Sequence, residues 1–237
     1  MEKPIIVSNK GATLDTSRRN FLKLGGIGLA VAGLTLAGCR DDNYQYVEDP
    51  AIFDLGKGDV GVLNYAYALE QLEADFYTKV VNSFYSGIST KEKQLFTDIY
   101  NHEVIHRDFF KAAITGAAPS SILPTLEFKY DGVDFKSRDS ILATAKALED
   151  TGVAAYNGAG KLLTNLDYLV IAGKIVSIEA RHASAIRDVI NPGSASFSGD
   201  DVVDINGLDV AKPPKDIVAA AGPFIKTPFT WKEQGLG

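Results

Sequence analysis

The sequence predicts an all-α protein built on a four-helix bundle, with an irregular carboxy-terminal tail. Three observations predict it. Four stretches carry apolar residues at helical spacing, each half of the chain holds one Glu-x-x-His motif, and the connections between the stretches run short, long, short. Residues three apart lie on one face of an α-helix, so each motif aims a carboxylate and an imidazole at the same point.

The first 38 residues read as a targeting segment and not as fold. Ser17-Arg18-Arg19-Asn20-Phe21-Leu22-Lys23 precedes an uncharged run from Leu24 to Gly38, and then Cys39. The run is too short and too rich in glycine for a bilayer span. The pattern resembles a twin-arginine export signal ending in a lipoprotein box, Leu36-Ala37-Gly38-Cys39. That resemblance implies cleavage before Cys39, lipidation of its thiol, and an exported protein anchored by lipid in the bacterial cell envelope, facing the periplasm or the surface. Cys39 is the only cysteine, which excludes an internal disulfide and any thiolate-held cluster. The formal charge of −6 becomes more negative once residues 1–38 are removed, which argues against nucleic acid as a partner. Asp41 and Asp42 after the cysteine favour tethering by lipid over attraction to anionic headgroups. Residues 39–58, polar and punctuated by Gly and Pro, read as a tether.

The first helix is expected from about Asp59 to Phe84, with Leu63, Ala66, Tyr67, Ala74, Tyr77 and Val81 forming a stripe around Glu70. The second runs from about Thr90 to Ile114. It opens on a capping-box signature, Ser89 with Glu92, and places Phe96, Ile99 and Phe110 around Glu103 and His106. The third runs from about Arg138 to Leu163, with Ile141, Ala145 and Tyr156 flanking Glu149. The fourth runs from about Leu166 to Ile190, with Tyr168, Ile175, Ile186 and Val189 around Glu179 and His182, and stops at Asn191-Pro192-Gly193.

The short connections near 85–89 and 164–165 make two antiparallel hairpins, and the segment of about 116–137 can cross the bundle between them. Within that crossover, Glu127 to Lys136 around Asp131-Gly132 read as a β-hairpin. Residues 191–237 read as a tail packed on the bundle (59–190), with Asp200, Asp201, Asp204 and Asp209 as a solvated acidic loop.

The two halves echo each other. Ala68-Leu69-Glu70 recurs as Ala147-Leu148-Glu149 and Tyr77 as Tyr156, both 79 residues later, and the Glu-x-x-His motifs recur 76 residues apart. Glu70 and Glu103 stand at similar distances from their hairpin turn, as do Glu149 and Glu179 from theirs. At ~1.5 Å per residue all four reach one level of the bundle. Buried carboxylates repel one another and each costs several kcal/mol without a partner, so something positive belongs between them. Two divalent cations balance four glutamates with neutral histidines. Oxygen-rich ligation with one imidazole per ion favours iron or manganese, alone or as a mixed pair, over a thiolate-type zinc site.

Four helices carrying one Glu each on two of them and Glu-x-x-His on the other two resemble the di-iron members of the ferritin-like superfamily. The resemblance spans about Asp59 to Ile190. It implies that Glu70 and Glu149 are single-carboxylate ligands, Glu103 and Glu179 bridging ligands, and His106 and His182 terminal imidazoles. It also implies that Tyr77 and Tyr156 hydrogen-bond carboxylates across the site, against the alternative that they are ordinary core aromatics. Glu73 is open to two readings, an extra ligand or a salt-bridge residue. His102 lies about 100° around the helix from Glu103 and is expected to face solvent or to back a ligand. Gly152, Gly158 and Gly160 mark close packing or a kink.

The activity implied is oxidation of ferrous iron or another small reductant by dioxygen or hydrogen peroxide, in the manner of a ferroxidase or peroxidase. The alternative is a non-catalytic metal-binding or structural envelope lipoprotein. No Cys-x-x-Cys is present to hold an electron donor of the rubrerythrin kind, and the tether and tail argue against a storage cage.

Overall fold

The computed structural model describes residues 52–236; the signal segment, Cys39, and Asp41 and Asp42 lie outside the described residues. Four long helices form the body: α1 (Gly58–Asn82), α2 (Thr90–Ala117), α3 (Arg138–Ala159) and α4 (Leu166–Ile190). A fifth, α5 (Pro214–Ala221), belongs to the tail. α1 packs on α2 and α3 on α4, as two hairpins. None of the helices among the described residues is long and apolar enough to cross a membrane.

Local chemistry sets the helix ends. Ser89 accepts from the Glu92 amide while the Glu92 carboxylate accepts from the Ser89 amide, so the capping box forms as expected. Asn165 caps α4 by accepting from the Asp167 amide, and Asp59 at the start of α1 accepts from Thr164 and Asn165, tying the two hairpins at one end. The third helix ends at Ala159, short of the expected Leu163, and 160–162 continue as a 3-10 turn. Gly158 and Gly160 weaken its last turn. At Gly158 the tail comes so close that an added Cβ would stand 1.7 Å from the Lys212 carbonyl oxygen, and the Lys212 amide donates to Ala154 O.

The crossover corrects one expectation. No β-hairpin forms at 127–136; the chain makes two tight turns, with the Val133 amide bonded to Tyr130 O and the Ser137 amide to Asp134 O. The strand-like residues pair with the tail instead. Phe128 bridges Ile225, the Lys129 amide donates to Phe224 O, and the Lys226 amide donates to Glu127 O. Two buried polar side chains on α1 clamp the rest of the crossover. Asn64 binds Leu55 O, Ser121 O and the Leu123 amide, and Gln71 binds the Leu126 amide and Pro124 O. Their amides thereby satisfy extended backbone that has no sheet partner.

The end of the expected tether is also corrected. β1 (Phe53–Asp54) pairs in parallel with β2 (Phe229–Thr230), and Leu55 is fully buried, so structure begins before Gly58. Trp231 follows β2 and is 0% exposed against Tyr65, with ring centroids 5.2 Å apart. Gly61 makes room for it, since a Cβ there would stand 2.9 Å from the Trp231 Nε1. The acidic tail loop is not simply solvated. Arg187, 3% exposed, donates to both carboxylate oxygens of Asp150 and of Asp201, fastening the loop to α3 and α4.

Candidate metal centre

All four helices deliver a glutamate to the middle of the bundle. Glu70, Glu103, Glu149 and Glu179 are each 0% exposed, and His106 and His182 are 8% and 5% exposed. The six side chains singled out in the sequence therefore converge.

They form two groups that share two members. Glu70, Glu103, His106 and Glu179 bring one ligand atom each within 4.8 Å of one another, and so do Glu103, Glu149, Glu179 and His182. Atom by atom, Glu103 presents Oε2 to His106 Nδ1 at 3.6 Å and Oε1 to His182 Nδ1 at 2.9 Å. Glu179 does the same from the other side, with Oε1 at 3.0 Å from His106 Nδ1 and Oε2 at 3.9 Å from His182 Nδ1. Glu70 and Glu149 each face a single imidazole, His106 and His182 respectively, both at 3.4 Å.

Two phenols cross the site reciprocally. Tyr77 on α1 donates to Glu149 Oε1 at 2.5 Å, and Tyr156 on α3 donates to Glu70 Oε1. They thus orient two of the buried carboxylates and are not merely core aromatics. Burial, and then the carboxylate each one faces, keeps both phenols protonated by raising them well above their ordinary range.

With those two bonds made, the atoms left over all point inward. Glu70 Oε2, Glu149 Oε2, both oxygens of Glu103 and of Glu179, and the Nδ1 atoms of His106 and His182 are buried without a hydrogen-bond partner. Orphans of this kind are costly and rare. The electrostatics agree. Burial pushes Glu70 up, pushes Glu149 up to about 7, and with Glu179 beside it pushes Glu103 well above the carboxylate range. Burial also opposes charge on Glu179 and on both imidazoles, but their mutual attraction wins, holding Glu179 down at about 2 and raising His106 to about 12. His182 is raised likewise. The protein alone thus reaches for positive charge at this place, and its donor set of carboxylate oxygen and imidazole nitrogen fits metal ions.

His102 backs one of the two imidazoles. Its Nδ1 stands 2.9 Å from His182 Nε2, with the rings within 10° of parallel, while its own side chain reaches the surface. With Nδ1 of His182 turned to the carboxylates, the bond between its Nε2 and His102 fixes the ring in place. The repeat breaks here, because the matching residue in the second half is Ile178. Glu73 is 3% exposed, makes no salt bridge among the described residues and belongs to neither group. Asn64, Gln71 and Arg187 were not legible as tertiary clamps, since single polar residues on a helical stripe carry no spacing signal.

The fold and site define a helical bundle whose core is a carboxylate and imidazole cluster able to hold metal ions. The chain belongs to the ferritin-like domain family, whose model matches residues 58–192. No curated protein matches the chain.

Proposed function

We propose that the centre holds two metal ions, preferentially iron, and that the protein is an exported oxidoreductase acting on dioxygen or peroxide. The observation that carries this reading is the sharing of Glu103 and Glu179 between two otherwise separate ligand groups. Carboxylates so shared would hold two cations together, as a reaction needing two electrons at one place demands. A pair of iron ions held there would supply one electron each on passing from ferrous to ferric, enough to reduce dioxygen to peroxide or peroxide to water with two protons.

The protein's own contribution is positioning. Tyr77 and Tyr156 occupy one oxygen of Glu149 and Glu70, leaving the second oxygen of each for a cation. The packing that leaves the four glutamates fully buried keeps bulk water from the cluster and strengthens its electrostatics. Electrons return from an external reductant, ferrous iron itself being the simplest. Export and lipid anchoring are supported by the paired Arg18 and Arg19 before an uncharged run and by the box ending in Cys39.

Metal analysis of protein purified without added metal, beside Glu103→Ala and His182→Ala, tests the centre. Two irons per chain, diminished in both variants, is expected; undiminished metal in both discards it. Peroxide consumption with turnover assigns the enzyme, whereas two tightly held, redox-silent ions assign the structural lipoprotein instead.

A further inference from the structure

Glu73 is a fifth carboxylate at the level of the centre, unused by either ligand group. No hydrogen-bond donor reaches it among the described residues, and burial, followed by Glu179 and Glu103, pushes it well above the carboxylate range. An apolar residue would be more stable at such a position, so its presence needs a reason.

The internal repeat shows how the space for it arises. Counting 79 residues on from Glu73, as from Glu70 to Glu149, reaches Gly152. A Cβ at 152 would stand 3.0 Å from Glu73 Oε1 and 3.5 Å from Glu179 Oε2. The missing side chain in the second half makes room for the extra carboxylate in the first, and brings it beside a shared ligand of the centre.

Glu73 and Gly152 also line a cavity of about 80 Å³ between α1, α3 and α5. Ala147 and Ala220 at its margin are exposed, while Leu72 and Glu73 are buried. The cavity has room for a few waters and runs between largely apolar walls toward one unpartnered carboxylate. A cation leaving water needs replacement oxygens at each stage, since an unpaired ion in an apolar passage is strongly disfavoured.

We propose that Glu73 is a transit site for divalent cations. A cation taken in through the α1, α3 and α5 cavity binds the Glu73 carboxylate first and passes from it to Glu179. This rests on the metal-binding reading above, and it adds a route and a residue to it.

The test is anaerobic loading of the metal-stripped full chain with cobalt(II), followed by stopped-flow absorbance and by equilibrium stoichiometry, in wild type, Glu73→Gln and Ala220→Trp. Both variants are expected to take up the same two equivalents as wild type but to fill at least tenfold more slowly. Wild-type loading rates in Glu73→Gln overturn the transit site. So does loss of an equivalent in that variant, which would make Glu73 a permanent ligand. Should Glu73→Gln fail to fold, Ala220→Trp, altered only at the exposed margin, decides by the same rate criterion. Wild-type protein that takes up no cobalt at all would remove the metal reading itself, a distinguishable failure.

Discussion

Tyr77 on α1 donates its phenolic hydrogen to Glu149 on α3, and Tyr156 returns the bond from α3 to Glu70 on α1. Each hairpin thereby orients a carboxylate belonging to the other, so the two halves of the centre are set against each other by hydrogen bonds and not by packing alone.

Removing either phenol frees a carboxylate to rotate. Tyr77→Phe and Tyr156→Phe are each expected to weaken metal affinity by about 10–100-fold while leaving the helical content unchanged. Competition against a chelator of known affinity measures this, and wild-type affinity in both variants would return the tyrosines to the core.

The inward-pointing atoms leave the metal-free protein with a cluster of buried polar groups that lack hydrogen-bond partners. A ligand present at about a thousand times its dissociation constant stabilises the folded state by about 4 kcal/mol. For a chain of this size that corresponds to a melting temperature higher by roughly 10 °C. Calorimetry with and without ferrous iron under anaerobic conditions checks the direction; identical melting curves would contradict the centre.

Trp231 couples the end of the tail to the start of α1. Trp231→Ala leaves a cavity in a fully buried place and is expected to cost about 3–5 kcal/mol, read from the urea midpoint. Gly158→Ala attacks the tail elsewhere, since its Cβ would overlap the Lys212 carbonyl. A cost of about 1–3 kcal/mol is expected there. A Gly158→Ala protein as stable as wild type would show that the tail crosses α3 more loosely.

Acid should loosen the tail loop. The Arg187 guanidinium holds the Asp201 carboxyl down at about 2, below its ordinary value of 3.8. Because the folded value is the lower one, the stability contributed by ionised Asp201 is present above about pH 4. It is lost as the pH falls toward 2. Urea unfolding of metal-stripped protein between pH 5 and 2.5 should therefore fall more steeply in wild type than in Asp201→Ala. The difference should be modest, because Asp201 is 62% exposed. Parallel slopes would mean that the pair contributes nothing.

The four long helices and the six inward-pointing side chains were legible because they obey periods. Helical spacing marked the stripes, three-residue spacing tied each Glu to its His, and the 79- and 76-residue offsets tied one half to the other. The crossover was misread because Glu127 to Lys136 has the alternation and the Asp-Gly turn of a hairpin, yet its backbone finds the tail at Ile225 and Lys226, about a hundred residues away. No local pattern announces a partner at that distance.

Alone, the sequence determined where the four long helices lie and which of their side chains share a face, because these depend on interactions a few residues apart. Only the tertiary structure decided that Glu103 and Glu179 each serve both imidazoles, that the phenols cross between hairpins, that His102 rather than Ile178 backs one of the two imidazoles, and that Gly152 yields its volume to Glu73. Those outcomes depend on how far apart and at what angle the packed helices stand, and that is set by the whole core at once.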